Sequence, residues 1–336
     1  MKIKILFPTL LTLALCTAGY AQTLDKAKLD QFFDRLAEKN KAMGSLTIAK
    51  DGNVLYTRAI GYSQVNETEK KPLTAANRFR IGSITKMFTA TMILQLVEEG
   101  KLKLTDTLDK FFPQAPNARK ITIVQILAHR SGIPNVRRAR ESQRNVNTIP
   151  MTKDEMLALI VKGKPDFEPD TKHSYSNSGY QLLGLIIEKL TGKSYGEALE
   201  ERITSKIGLA DTYTATGSID VSKNEALTYI NVGRDWKQGT ETHPSILFSA
   251  GSIVSTPNDL AKFIQALFDL KLISQESLNR MKTIRDGDGL GMEPFTFAGK
   301  TFYGHTGGGD NYGAWLAYLP KEKRRSPTPR TQRLSR

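Results

Sequence analysis

Residues 79–86 read Phe79-Arg80-Ile81-Gly82-Ser83-Ile84-Thr85-Lys86, and an apolar run follows at residues 87–97. The change from polar to apolar predicts a helix that begins near Ser83 and ends at Gly100. Because the run is apolar on nearly every side, this helix should pack at the centre of the molecule. Ser83 and Lys86 are three residues apart and would share one helix face, which places an amine beside a hydroxyl as in an activated serine nucleophile.

The predicted position of Ser83 adds a second source of activation. The first turn of a helix leaves backbone N–H groups unpaired and carries partial positive charge, which favours an alkoxide and offers a donor to an oxyanion. A Ser-x-x-Lys pair also arises by chance in chains of this length. The catalytic interpretation therefore depends on the remaining motifs.

Composition and charge limit the functional classes. The chain has 336 residues, of which 39% are hydrophobic and 24% charged, as in a soluble globular protein. The formal net charge is +14, but residues 321–336 contribute +6 and the two lysines near the N-terminus +2. A mildly basic body remains, so nucleic acid is not predicted as a partner. An alternative for the basic tail is an anchor to an anionic surface.

The N-terminus has the pattern of a secretory signal peptide. Residues 1–21 combine a charged start, a short apolar run and small residues before Ala21, and the apolar run is too short for a stable membrane span. The only cysteine, Cys16, hints at a lipoprotein signal, but Leu15 is bulky where such signals require a small residue. We therefore expect cleavage near Ala21, a periplasmic or secreted protein, and no disulfide in the mature chain.

Local signals define most of the remaining elements. Strands at both ends of the chain, with helices between them, predict an α/β fold in which N- and C-terminal strands form an antiparallel sheet flanked by helices, with a mostly helical insert. The signals are helical spacing at residues 24–41, an Asp51-Gly52 hairpin between strands at 46–49 and 54–59, a capping box at Thr152, a helix start at Thr256 and Pro257, and strand-like residues at 295–303 and 315–319.

Tyr175-Ser176-Asn177 is a second candidate site motif. In extended backbone, residues two apart point the same way, so Tyr175 and Asn177 could project into one cleft. A neighbouring ammonium such as Lys86 would favour the phenolate, which could take the serine proton and return it to a leaving group. Taken alone, the motif is equally well explained as a turn tyrosine with a capping asparagine.

His305-Thr306-Gly307-Gly308-Gly309 is the third motif, and it follows the strand-like residues 301–303. Three glycines allow a substrate backbone to approach the strand edge closely, and the Gly308 N–H could be a second oxyanion donor. A phosphate-binding loop is the alternative, but no Gly-Lys-Ser or Gly-Lys-Thr follows.

Other catalytic classes have less support. A nucleophile elbow is not predicted. The four histidines show no metal-ligand spacing, and we expect neither a metal nor a cofactor. His129 and His243 are interpreted as structural residues and His173 as a loop residue.

The three motifs, in this order, resemble the serine β-lactamase and penicillin-binding-protein superfamily, in the branch of class C β-lactamases, D-alanyl-D-alanine carboxypeptidases, D-aminopeptidases and esterases. The resemblance covers about residues 24–323 and implies a β-lactamase/transpeptidase-like fold and hydrolysis through an acyl-enzyme. It extends to the stretches Ile121-Thr122-Ile123, His129-Arg130-Ser131-Gly132, Tyr175-Ser176-Asn177-Ser178-Gly179-Tyr180 and Ser249-Ala250-Gly251-Ser252.

The resemblance also implies a role for each motif residue. Ser83 would be the acylated nucleophile, Lys86 its proton partner and Tyr175 the general base and acid. The implied substrate-binding residues are Asn177, His305, Thr306 and Gly307, and the implied oxyanion donors are the N–H groups of Ser83 and Gly308.

The first departure from the family pattern is His305-Thr306-Gly307 in place of the Lys-Thr-Gly of β-lactamases. A histidine is mostly neutral at pH 7 and anchors a substrate carboxylate less firmly than a lysine does. The variant resembles the family's peptidases and esterases, so we expect D-amino-acid peptides or simple esters as substrates before β-lactams. Peptidoglycan is a further candidate partner.

The second departure lies at the C-terminal end, where the family continues with an apolar strand and a closing helix. Residues 323–330 instead contain two prolines and several arginines, which cannot form a central strand. The sequence thus predicts that this strand and helix are missing, through a frame-altered end or otherwise, and that the chain is destabilised. A catalytically impaired or truncated envelope protein that binds peptidoglycan or a partner through the same cleft is the alternative function.

The predicted organisation has three parts. Residues 1–21 are the signal peptide, residues 22–320 the hydrolase domain, and residues 321–336 a basic, disordered tail. Within the domain, residues 22–80 and 255–320 would form the α/β part and residues 81–254 the helical part.

Overall fold

The computed structural model describes residues 24–66, 69–136, 148–232, 235–309 and 311–320. The predicted signal peptide at residues 1–21, including Cys16, and the predicted tail at residues 321–336 lie outside these ranges. The expectation of a missing C-terminal strand and helix also concerns residues outside them, and it stays a prediction.

Helices and short strands alternate along the described ranges. The helices are α1 (Lys26–Glu38), α2 (Thr85–Glu98), α3 (Ile123–Leu127), α4 (Lys153–Lys162), α5 (Asn177–Thr191), α6 (Tyr195–Leu199), α7 (Ser205–Ile207), α8 (Pro244–Leu247), α9 (Pro257–Phe268) and α10 (Gln275–Lys282). The strands are β1 (Gly44–Lys50), β2 (Asn53–Ile60), β3 (Tyr62–Val65), β4 (Lys70–Pro72), β5 (Phe79–Arg80), β6 (Tyr213–Thr214), β7 (Tyr229–Val232), β8 (Asp235–Gln238), β9 (Ile253–Ser255), β10 (Glu293–Phe297), β11 (Lys300–Gly309) and β12 (Tyr312–Tyr318).

Several element boundaries follow from the local signals predicted above. Thr152 Oγ1 accepts the Glu155 N–H at 3.2 Å, and the Glu155 carboxylate accepts the Thr152 N–H at 2.8 Å, which completes the capping box of α4. Thr256 caps α9, with Pro257 as its first residue. The turn between β1 and β2 is Asp51-Gly52, with φ of 53° and 78°. The structure thus confirms these predictions. Each of them depends on neighbouring residues only.

Helix α2 forms the centre of the core. Every residue from position 85 to position 96 is buried. The helix contacts α5 and the 3₁₀ turn Phe248–Ala250, and Phe88 stacks on Phe263 of α9 with ring centroids 3.8 Å apart. A helix packed on all sides has little freedom to shift, so α2 is a rigid mount for side chains at its N-terminal end.

Antiparallel sheets flanked by helices confirm the predicted fold class. The arrangement differs in one detail, because the terminal strands form two sheets. β1 pairs with β2, whereas β10, β11 and β12 form a separate sheet in that order. A groove of about 1880 Å³ separates β1 from β12. Leu260 and Ile264 of α9 line it, and among the described residues no strand joins the two sheets.

The region predicted as mostly helical also contains short strands that the sequence analysis did not identify. β9 lies between β5 and β6 in a three-stranded sheet, and β7 pairs with β8. These strands have two to four residues each, too few for a recognisable alternation of apolar and polar positions. The division into an α/β part and a helical part remains a prediction. None of the helices in the described ranges is long and apolar enough to cross a membrane.

Candidate active site

Ser83 lies in the 3₁₀ turn Gly82–Ile84, immediately before α2. Gly82 has φ +52°, a backbone conformation that residues with a side chain rarely adopt. A Cβ atom on Gly82 would lie 2.7 Å from the nitrogen and 2.8 Å from the oxygen of Gly308. Glycine at position 82 therefore permits the turn and also allows β11 to approach the turn that holds Ser83.

Lys86 lies in the first turn of α2, and its side chain is fully buried. Its Nζ donates hydrogen bonds to Ser83 Oγ at 3.0 Å, to Asn177 Oδ1 at 2.8 Å and to the Ala250 carbonyl at 2.8 Å. An ammonium group has three donors, and three acceptors surround this one. The amine is thus held in a fixed position against the serine hydroxyl.

The Tyr175 ring packs against the same amine. Lys86 Nζ lies 4.7 Å from the centroid of the Tyr175 ring. The expectation that Asn177 lies in extended backbone is wrong, because Ser176 is the N-cap of α5 and Asn177 its first residue. Even so, Asn177 reaches Lys86 from the helix start. The structure therefore brings Ser83, Lys86, Tyr175 and Asn177 together.

His129 fixes the backbone on both sides of Tyr175. Its carbonyl accepts the Ser174 N–H at 2.9 Å, and its Nδ1 accepts the Ser176 N–H at 3.1 Å. The ring of His129 stacks on Tyr175 with centroids 4.3 Å apart. Burial, assisted by the nearby Lys86 charge, holds the pKa of His129 well below its usual value, so the ring is neutral and its Nδ1 can accept the hydrogen bond from the Ser176 N–H. The structural role predicted for His129 thus includes the support of Tyr175.

The glycine-rich motif forms part of a strand rather than following one. β11 continues to Gly309, which corrects the predicted strand end near residue 303. A Cβ atom on Gly307 would lie 2.0 Å from the Ile81 carbonyl oxygen. Only a glycine fits this approach, and the glycine-rich end of β11 therefore runs alongside the turn that contains Ser83. The N–H of Gly308, the predicted oxyanion donor, lies beside Gly82.

His305 and Thr306 face different environments on β11. The His305 ring is 2% exposed, and its centroid lies 6.4 Å from that of Tyr175. Burial lowers the pKa of His305 to about 4, although the nearby Glu293 carboxylate raises it, so the ring is neutral at pH 7. Thr306 is exposed, and its N–H and Oγ1 donate to Glu293 Oε2 at 3.0 Å and 3.1 Å.

The sequence analysis did not identify Asp170, Asp286 and Asp288, the carboxylates that pair with Arg130 and His173. Asp288 Oδ2 lies 2.7 Å from Nε2 of His173, and burial raises the pKa of Asp288. Arg130 is buried, donates to Asp170 at 2.7 Å and pairs with Asp286. The pairs His173–Asp288 and Arg130–Asp286 span 115 and 156 residues of sequence. No local pattern could have indicated them.

The arrangement is suited to nucleophilic attack on a carbonyl. A buried amine 3.0 Å from a serine hydroxyl can stabilise the alkoxide, and a tyrosine beside it provides a group that can exchange a proton. Backbone N–H groups at the start of α2 and on β11 can stabilise an oxyanion. Among the described residues, no group of three or more histidine, cysteine, aspartate or glutamate side chains is placed to hold a metal ion.

Replacement of Gly82 with alanine tests the close approach of β11. The φ of +52° and the overlap with Gly308 should destabilise the Gly82→Ala variant by about 2 kcal/mol or more and displace Ser83. Urea unfolding and ester hydrolysis measure the two effects. Gly217→Ala is the matched control, because no atom lies within 4 Å of its added Cβ. If both variants are equally stable and active, the structural role of Gly82 is refuted.

Comparison with known proteins places the chain in a family. A family model described as Beta-lactamase matches residues 29–325. The chain belongs to the beta-lactamase family. It is thus a serine hydrolase with the fold of that family, in agreement with the expectation from its motifs.

Individual relatives agree with this assignment. A D-alanyl-D-alanine-carboxypeptidase/endopeptidase, AmpH, of Escherichia coli (strain K12) is 25% identical, and the match covers 100% of this chain and 94% of AmpH. A D-stereospecific amidohydrolase from Streptomyces sp. is 30% identical with a TM-score of 0.71, covering 85% of this chain and 88% of that protein. A D-amino acid amidase from Ochrobactrum anthropi SV3 is 29% identical with a TM-score of 0.73, covering 84% of each chain.

Proposed function

We propose that this member of the beta-lactamase family hydrolyses amides, peptides or esters of D-amino acids through an acyl-enzyme on Ser83. One observation carries the proposal: Lys86 Nζ lies 3.0 Å from Ser83 Oγ, with Asn177 at 2.8 Å and the Tyr175 ring beside it. The names of the three relatives, each of which refers to D-amino acids or D-stereospecificity, support this substrate class.

In the proposed acylation step, Tyr175 takes the Ser83 hydroxyl proton and Oγ attacks the carbonyl carbon of the substrate. The Lys86 ammonium favours the deprotonated phenol that this step requires. The carbonyl oxygen becomes an oxyanion, which accepts hydrogen bonds from the N–H groups of Ser83 and Gly308. The tetrahedral intermediate then collapses, and the bond to the amine or alcohol breaks. Tyr175 returns its proton to that leaving group.

In the proposed deacylation step, water attacks the acyl carbon and transfers a proton to Tyr175. Collapse of the second tetrahedral intermediate releases the carboxylic acid, and the proton returns to Ser83 Oγ. Asn177, His305, Thr306 and Gly307 are the proposed substrate-binding residues.

The proposed setting is the cell envelope. The pattern at residues 1–21 supports export with cleavage near Ala21. Peptidoglycan is the candidate partner in that setting.

A substrate panel tests the proposed class. We expect D-alanine p-nitroanilide to be hydrolysed at least about tenfold more efficiently than its L-enantiomer, because a chiral cleft discriminates in the transition state. p-Nitrophenyl acetate should be hydrolysed faster than the β-lactam nitrocefin. Initial rates of purified protein give both ratios. Nitrocefin turnover equal to or faster than ester turnover would contradict the proposal, as would equal rates for the two enantiomers.

A further inference from the structure

The Glu293 carboxylate accepts hydrogen bonds from the polar groups of Thr306. Glu293, the first residue of β10, pairs with Gly304 of β11. This residue pair is the one furthest along β11 between the two strands. Thr306 lies two residues beyond this pair. The Glu293 side chain extends along β11 and accepts the Thr306 N–H at 3.0 Å and the Thr306 Oγ1–H at 3.1 Å. A substrate anion would find both donors already taken.

The charge of this carboxylate is only weakly compensated. In the described part of the chain, His305 Nδ1, at 3.7 Å, is the only ionisable nitrogen within 4.0 Å of Glu293. That ring is neutral at pH 7, because burial lowers its pKa to about 4. Asp288 adds a second carboxylate that interacts electrostatically with Glu293. The Glu293 side chain remains 21% exposed.

Glu293 lies close to the reacting centre along β11. Thr306 is followed by Gly307 and Gly308, which touch the backbone of Ile81 and Gly82. A strand rises about 3.3 Å per residue, so Thr306 is roughly 7 Å along the strand from the proposed oxyanion donor. One extended amino-acid residue of a substrate spans about 3.3–3.6 Å, so a carboxylate on the residue after the reacting carbonyl can lie about half of the way to Thr306. A charged group on the residue next to the reacting carbonyl would therefore come near Glu293.

We infer that Glu293 selects against substrates that carry a carboxylate beside the reacting carbonyl, and that it directs the enzyme to neutral amides and esters. This inference rests on the proposed function. A substrate carboxylate would meet a like charge in a partly desolvated cleft, where repulsion is stronger than in water. Discrimination by such a repulsive group is a common source of specificity.

Two substrates that differ only at one terminus test the inference. N-acetyl-D-alanyl-D-alanine ends in a carboxylate, and N-acetyl-D-alanyl-D-alaninamide ends in a neutral amide. The wild type should show a kcat/KM at least about tenfold higher for the amide. In Glu293→Gln, which removes the charge and keeps an acceptor oxygen for Thr306, the ratio should fall to near one. Raising the salt concentration should reduce the wild-type ratio and leave that of Glu293→Gln unchanged.

Matched controls separate the possible outcomes. Glu276→Gln removes an exposed carboxylate from α10 and should keep the wild-type ratio. A merely structural role of Glu293 would change both substrates alike and leave their ratio unaltered, which would overturn the inference. A wild-type preference for the substrate that ends in a carboxylate would also overturn the inference. In that case, hydrolysis of p-nitrophenyl acetate by the same protein would leave the proposed function intact. If the wild type hydrolyses neither the peptides nor the ester, the proposed function fails and the inference fails with it.

Discussion

Ser83→Ala should lower the rate of ester and amide hydrolysis by at least about 10⁴-fold, because no other group in the described cleft replaces the hydroxyl held at 3.0 Å by Lys86. The variant should keep its fold, since only one oxygen atom of a half-buried side chain is removed. A fluorophosphonate probe should label the wild type at residue 83, and intact mass spectrometry should show one adduct. Ser83→Ala should show none.

Ser205→Ala is the matched control for this experiment, because Ser205 is exposed at the start of α7. It should retain both labelling and turnover. Comparable hydrolysis by Ser83→Ala and the wild type would rule out Ser83 as the nucleophile. A wild type that is folded yet neither labelled nor active would instead favour the alternative of an envelope protein that binds peptidoglycan or a partner without catalysis.

Lys86→Met is expected to reduce turnover by about 10³-fold, because it removes the charge beside Ser83 and Tyr175 while nearly conserving side-chain volume. Its effect on stability should be small. The loss of three hydrogen bonds from a charged donor costs about 1.5–3 kcal/mol each, but removal of a buried ammonium also eliminates a desolvation penalty of several kcal/mol. These contributions oppose each other, so the melting temperature should change by only a few degrees.

Thermal unfolding and ester hydrolysis of Lys86→Met measure the two effects separately. Lys206→Met provides the control, since Lys206 is exposed on α7. Turnover within tenfold of the wild type would argue against a role for the amine in proton transfer. A large fall in melting temperature would show that Lys86 acts mainly through stability.

The elements predicted correctly are those whose signals are local. The helix that follows Ser83, the capping box at Thr152 and the hairpin at Asp51-Gly52 depend on residues within a few positions of one another. The pairing of Ser83 with Lys86 belongs to the same class, because helical spacing alone brings positions three apart together.

Other predictions failed where the local signal was ambiguous. Glycines usually interrupt a strand, so the motif at residues 305–309 was expected to follow β11. Pairing with β12 continues the strand through Gly307, Gly308 and Gly309. Asn177 was expected in extended backbone, but Ser176 caps α5, and Asn177 is the first residue of that helix.

The sequence by itself determined that Lys86 lies beside Ser83 at the start of a buried helix, because this feature depends on residue type and short spacing. The tertiary structure alone decided what surrounds them. It placed His129 against Tyr175 and Glu293 on Thr306, and it separated the N-terminal and C-terminal strands into two sheets. The physical reason is that burial, charge pairing and strand pairing depend on distances between residues far apart in the chain, which no local pattern specifies.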